Sequence, residues 1–309
     1  MSKINKCFTL VFILLFIGCE SFFPKYDKQL FSQQDALIKE IDNSVDLSKT
    51  QENNARSALM AKKELHPHPY SLWELAAQLH SELSDEKIQI IMDWVSSGEY
   101  FSHGFNIGID HKPHSGKFFD LVIEILNGII TDEQQSQFQE IINQFLIFKL
   151  EVEIEWLSGE LNIEQLKSKI FANRNYFKTS IVQLLSENQY TQYEEKIEYL
   201  KSNKPDYGKH SLDKELLKQA KYDALNMTEE QILEIETLND NFLLDKEDLN
   251  LQYIDEMIEL DYFVNIVFEL FLAKIITKKE IYTEVQQEII MLHHALVIKA
   301  HKKYKFWKK

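Results

Sequence analysis

A chain of 309 residues with 49 acidic against 34 basic side chains has a formal charge of −15, which excludes the broad basic face a nucleic-acid binder needs. Its two cysteines, Cys7 and Cys19, lie at the N-terminus, so the rest of the chain offers no disulfide, thiolate metal site or cysteine nucleophile. The length suffices for one large core or two smaller ones.

Met1–Lys6 carries Lys3 and Lys6, Cys7–Ile17 is a short apolar run, and Phe16-Ile17-Gly18-Cys19 closes it. These are the parts of a secretory signal. The run is shorter than the roughly 20 residues that span a bilayer core. The cysteine directly after Gly18 resembles the bacterial lipobox. That resemblance implies cleavage of residues 1–18 and a diacylated Cys19, although Phe16 stands where the lipobox usually has Leu. The competing reading is an uncleaved interfacial anchor. Loss of Lys3 and Lys6 takes the net charge from −15 to −17.

Residues 19–65 read as a polar tether with helical character at 29–41 and 55–64. A His-containing N-terminal region, 66–129, follows. Ser71-Leu72-Trp73-Glu74 has capping-box spacing and predicts a helix start. Gly98–Gly116 reads as a loop carrying His103, His111 and His114, with Glu99 and Asp110 in it and Asp120 just beyond. Imidazole with carboxylate suits Zn, Cu or Ni. The three histidines are therefore the candidate metal ligands, and solvated loop residues are the bland alternative. No other cofactor is implied.

Four helix starts share one pattern: Ile130-Thr131-Asp132-Glu133-Gln134, Leu185-Ser186-Glu187-Asn188-Gln189, Met227-Thr228-Glu229-Glu230-Gln231 and Tyr282-Thr283-Glu284-Val285-Gln286. In each, the hydroxyl is placed to accept from the N3 amide and the Gln to reach back to the cap amide. Thr131 to Ser186 is 55 residues, as is Thr228 to Thr283, and the pairs are offset by 97. At that offset Phe138, Ile141 and Phe145 fall on Ile235, Leu238 and Phe242. Ser180–Gln183 falls on Thr277–Glu280, which reads as a third pair of caps. Leu83-Ser84-Asp85-Glu86-Lys87 reads as a decayed copy with Lys in place of Gln. Repetition at a fixed period indicates internal duplication, with units at 130–208 and 209–309. After Pro205 there is no proline and after Gly208 no glycine, so the chain is expected to be all-α, built of tandem long helical hairpins.

Paired apolar-Thr-x-x-Gln motifs in an exported helical chain resemble the Spy/CpxP, or LTXXQ-motif, family over residues 130–203 and 227–300. Thr228 with Gln231 is the closest match, then Thr131 with Gln134; Ser186 with Gln189 and Thr283 with Gln286 follow less closely. Trp156-Leu157-Ser158-Gly159-Glu160-Leu161 is similar to the family's mid-hairpin turn. The resemblance implies a cradle-like helical protein of the periplasm, acting as an ATP-independent chaperone or envelope-stress modulator, with metal-binding relatives. Two units in one chain would then replace the family's homodimer, leaving a monomer with pseudo-dimeric repeats or a homodimer of such chains. The implied partners are unfolded or partly folded envelope proteins, and the membrane through the N-terminal lipid. The family's cradle is commonly basic, whereas this chain is acidic. A metal-responsive sensor and a purely structural lipoprotein are the alternatives.

The carboxylates at Glu151–Glu155 and Asp245–Asp261 lie at helical surface spacing and read as solvated faces rather than acid–base pairs. His293-His294 and His301 fall in the last helix, where His294 and His301, seven apart, share a face and read as an exposed or partly buried pair rather than a metal-ligand set. Lys299 to Lys309 is either a helix end meeting the dipole or a basic-aromatic patch for lipid head groups or acidic clients. With no phosphate loop, no G-x-S-x-G and no haem motif, no enzyme is expected.

Overall fold

The computed structural model describes residues 30–60, 68–94, 125–202, 212–254 and 257–300; they form α-helices and connecting turns, with no strand among them. The first helices are α1 (Leu30–Val45) and α2 (Lys49–Met60). Both overlap the stretches expected to be helical within the tether, but α1 runs further, α2 starts six residues earlier, and both are docked. Leu37, Ile38, Ile41 and Val45 make one apolar stripe on α1, as Ala55 and Leu59 do on α2, and all enter the main core. A stripe at three- and four-residue spacing binds a helix to a core even when its average composition is polar.

Helix α3 (His68–Glu82) begins three residues before the expected cap, so Ser71 and Glu74 lie inside it. Pro69 sits in its first turn, where its missing N–H would have no helical partner anyway. Helix α4 (Asp85–Met92) follows Ser84, as the decayed motif suggests. There Lys87, in the Gln position, donates to the carbonyl of Asp46 at 2.7 Å.

Two units of one construction follow. The first comprises α5 (Gln135–Leu157), α6 (Ile163–Leu184) and α7 (Glu187–Ser202). After α8 (Leu212–Ala224), the second comprises α9 (Glu229–Ile254), α10 (Leu260–Ile281) and α11 (Glu284–Ala300). The bounds of α6 and α10 are related by the 97-residue offset at both ends, and α7 and α11 start at the same offset. Phe138, Ile141 and Phe145 are buried on α5; Ile235 and Phe242 are buried on α9 and Leu238 is half-buried. One expectation is corrected: Ser180 and Thr277 lie inside α6 and α10 and start nothing. No glycine or proline interrupts those helices, and the buried run Phe177, Ile181, Leu184 carries α6 straight past Ser180.

The turn between α5 and α6 ends the first helix in a Schellman arrangement. Glu160 N donates to Glu155 O at 3.0 Å and Gly159 N to Trp156 O at 3.2 Å, with Gly159 at φ +83. Asn162 and Gln165 then start α6 with a reciprocal capping box. A Cβ on Gly159 meets nothing within 4 Å, so Gly159→Ala should cost only the left-handed backbone penalty, about 1 kcal/mol. Urea unfolding of the two chains checks this.

Each long hairpin packs on itself, α5 on α6 and α9 on α10, while α11 lies against α3, α4 and α5. Helix α3 also packs on α2 and α8, and α1 on α2 and α4. The hairpins meet through Phe171 and Phe268, 6.5 Å apart edge to face, and through the Lys167–Glu269 ion pair. Lys279 of α10 donates to the carbonyl of Trp156 at the end of α5 and sits 4.6 Å from that indole. No described helix is long and apolar enough to cross a membrane.

Candidate functional site

The four motif glutamines form two clasps. In every motif the Gln side chain accepts from the cap amide: Thr131 N to Gln134 at 2.9 Å, Ser186 N to Gln189 at 2.9 Å, Thr228 N to Gln231 at 3.1 Å and Thr283 N to Gln286 at 3.0 Å. The returning hydroxyl bond is present at Ser186, Thr228 and Thr283. At the first motif Gln134 N donates instead to the carbonyl of Thr131, at 3.1 Å, and α5 begins one residue later.

The glutamines also bond each other in pairs. Gln231 Nε2 donates to Gln286 Oε1 at 2.9 Å, and Gln286 Nε2 donates back to Gln231 Oε1 at 3.1 Å. Gln134 and Gln189 do the same at 3.0 and 2.7 Å. Each Nε2 also reaches the carbonyl that ends the segment before its partner's motif. Gln134 reaches Leu184 and Gln231 reaches Ile281; Gln189 reaches Ile129 and Gln286 reaches Leu225. One clasp therefore joins both ends of a long hairpin to the helix that follows it. An amide suits this role because it carries donors and an acceptor together.

Among the described residues nothing covers the outer face of α9. Ile235 and Phe242 turn inward. Leu233, Leu244 and Leu251 lie about 180° away and within about 20° of one another by helical geometry, and are 65%, 64% and 50% exposed. Exposed Glu229, Asp240 and Glu247 flank this line on one side, Glu230 and Asp248 on the other. Lys246 points to the opposite, inward half of the helix. Leu243, Met257 and Tyr262 add exposed apolar surface beside the stripe and at the hairpin tip. In the first unit Ile147 and Ile154 stand in the places of Leu244 and Leu251, and both are buried. They are covered by Ile298 and Met291 of α11, with Met92 of α4.

A third arrangement joins α11 to its neighbours. The His293 ring stacks on Trp73 of α3 with centroids 3.6 Å apart and planes 3° from parallel. His293 Nδ1 lies 3.3 Å from His294 Nδ1, and His294 Nε2 lies 3.3 Å from Glu153 of α5. Lys221 of α8 sits 5.5 Å from the Trp73 ring and donates to Tyr282 Oη at 3.0 Å. Both histidines are buried, deeper than the exposed or partly buried position expected of them, because α11 is a central helix; His301 lies outside the described residues. Glu153 keeps 42% of its side chain exposed, and its carboxylate meets His294. Burial pushes its carboxyl up, but the charge of His294 beside it, with Lys149 and Lys221, outweighs that and holds it well below the ordinary carboxylate range.

The structure brings Thr131, Gln134, Ser186 and Gln189 together, and Thr228, Gln231, Thr283 and Gln286 together. Cys19, the candidate ligands His103, His111 and His114, the Gly98–Gly116 loop and residues 301–309 lie outside the described residues. Among the described residues no three His, Cys, Asp or Glu side chains are arranged to hold a metal ion. Sequence reasoning found the cap role of each glutamine but missed the clasp, the α9 stripe and the Glu153–His294 pair. The signal for the clasp was the equal 55-residue spacing, which places each Gln at one end of a hairpin opposite its partner. No protein-family model, curated protein or solved structure matches the chain.

Proposed function

We propose that this protein is a lipid-anchored envelope protein, held at the membrane by Cys19 and facing the periplasm, that binds exposed apolar segments of unfolded or partly folded proteins without ATP. The observation that carries this reading is the bare apolar line of Leu233, Leu244 and Leu251 on the second hairpin. Contiguous exposed apolar surface is costly in a free protein and marks an interaction site. Unfolded clients present the complementary surface. The clasps support the reading by holding each hairpin at both ends, so that α9 keeps its shape while empty.

The test is light scattering from a chemically denatured client diluted into buffer. The chain lacking residues 1–18, with Cys19→Ser, should suppress aggregation at several-fold molar excess, with no nucleotide added. Undiminished scattering at that excess would dismiss the holding function.

A further inference from the structure

We infer that the outer face of α9 selects cationic amphipathic helices, so that the segments this protein holds carry Lys or Arg beside their apolar residues. The inference rests on the holding activity proposed above and names the substrate class of that surface. Two observations carry it. The first is charge. Along the roughly 27 Å from Leu233 to Leu251, every ionisable side chain of α9 on the outward half of the helix is acidic: Glu229, Glu230, Asp240, Glu247 and Asp248, with Glu236 at the edge already paired to Lys218 of α8. An apolar segment with its own carboxylates would bring like charges against these rows. One with lysines or arginines would meet opposite charges on both sides of the leucine line.

The second observation is the first unit, which shows what covers the corresponding face. There α11 lays Met291 and Ile298, seven residues apart, over Ile147 and Ile154. Between them His294 meets the carboxylate of Glu153, and one residue beyond Ile298, Lys299 meets Glu40 of α1 at 3.2 Å. The cover is a helix with apolar residues at heptad spacing, with one basic side chain meeting the acid beside the seat and the next meeting a carboxylate of α1. The second unit keeps the seat, with Leu244 and Leu251 in place of Ile147 and Ile154, and adds acids around it. Helix-in-groove recognition by apolar anchors on successive turns is the matching binding mode. A second copy of this chain is the weaker occupant, because the whole molecule carries −15 and its α9 faces would repel each other.

The probes are two labelled helical peptides of about 20 residues that share one heptad apolar face. Their remaining positions are Lys in one and Glu in the other. Binding to the purified full chain is followed by fluorescence anisotropy. The Lys peptide should bind at least about tenfold more tightly than the Glu peptide at low salt, and the gap should close as ionic strength rises from about 0.02 to about 0.3 M. The D240N/E247Q/D248N chain should bind the Lys peptide several-fold more weakly, whereas L244S/L251S should lose both peptides. These side chains are exposed, and circular dichroism confirms that the variants fold.

Equal affinity for the two peptides, abolished by L244S/L251S, would overturn the charge selection and leave apolar holding intact. Binding of the Lys peptide unchanged by L244S/L251S would move the site off α9 and overturn the inference. Binding that appears only in a chain ending at Ala300 would assign the face to the chain's own segment Lys302–Lys309, also against the inference. A dimer dissociated by L244S/L251S would assign the face to a second copy and equally overturn the inference. Absence of binding by either peptide, together with undiminished client scattering, would remove both this inference and the holding function.

Discussion

Replacing Gln286 by Ala should destabilise the protein by about 3 kcal/mol, well beyond the ~1 kcal/mol lost with an ordinary helix cap. Gln286 is 5% exposed, and both ends of its amide are in use. Its oxygen accepts from Thr283 N and from Gln231; its nitrogen donates to Leu225 O and to Gln231. Truncation leaves the Leu225 carbonyl, the Thr283 amide and one side of Gln231 short of a partner. A buried polar group left unsatisfied costs about 1–3 kcal/mol; water that enters the vacated space offsets part of the sum. Gln286→Glu separates the clasp from the cap. A carboxylate still accepts from Thr283 N, but it cannot donate to Leu225 O or to Gln231, and it sets negative oxygen against oxygen at both. It should cost as much as Ala. Gln134→Ala, at a half-buried position, should cost about half as much, since solvent replaces its bonds more easily. Urea unfolding midpoints give all three values. A loss of ~1 kcal/mol for Gln286→Ala would reduce the motif to a plain capping box.

The same residues show what the sequence made legible. The helical class and the starts of α7, α9 and α11 were readable because they depend on local chemistry: the absence of breakers, a hydroxyl, and a glutamine three residues on. The clasp was not, because the capping role already accounted for each glutamine and its partner lies on another helix. Glu153 looked solvated because Glu151, Glu153 and Glu155 alternate in one charged run. Its inward role depends on α11 docking against α5. Residues 30–60 looked like tether with passing helical character because polar residues dominate them, while the few apolar positions that dock α1 and α2 are spaced as one stripe.

Helix α9 poses the opposite problem. It carries two apolar lines, Ile235 with Phe242 and Leu233 with Leu244 and Leu251, and periodicity alone does not say which is covered. Tertiary structure decides. Helix α11 belongs to the second unit in sequence but packs on α5 of the first, and α8 packs on α3. The units of the sequence are therefore not the units of packing. The first hairpin is sheathed by the second unit's last helix, and nothing in the described residues sheathes α9 in return. That asymmetry leaves the matching apolar line covered on α5 and exposed on α9.

Acidification should loosen the seat of α11, and the proton responsible is the one His293 refuses in the folded state. The ring is 2% exposed and lies flat on Trp73. Burial, then the adjacent His294 and Lys221, hold it well below the ordinary imidazole value; Glu153 opposes them but does not prevail. A charged imidazole over an indole gains up to about 2 kcal/mol from the ring, less than the several kcal/mol it costs to bury an ion, so the neutral form wins. The sign follows from which state binds the proton. The unfolded chain takes it up near pH 6.5, whereas the folded chain does so only at much lower pH. Between those points the unfolded state holds one more proton, so stability falls as pH drops below about 6.5, by up to about 1.4 kcal/mol per pH unit. The depressed Glu153 carboxyl acts in the same direction in a lower window. Its contribution is present above the unfolded carboxylate value of about 4.3 and is lost as pH falls through the folded one; with 42% of its side chain exposed, screening makes it the smaller part. Unfolding midpoints between about pH 7 and pH 5 measure the slope due to His293. His293→Phe keeps an aromatic ring on Trp73 and removes the proton, so its midpoint should vary less with pH across that range. A slope that survives His293→Phe would separate the acid sensitivity of the protein from the Trp73 stack and place it on other ionisable groups.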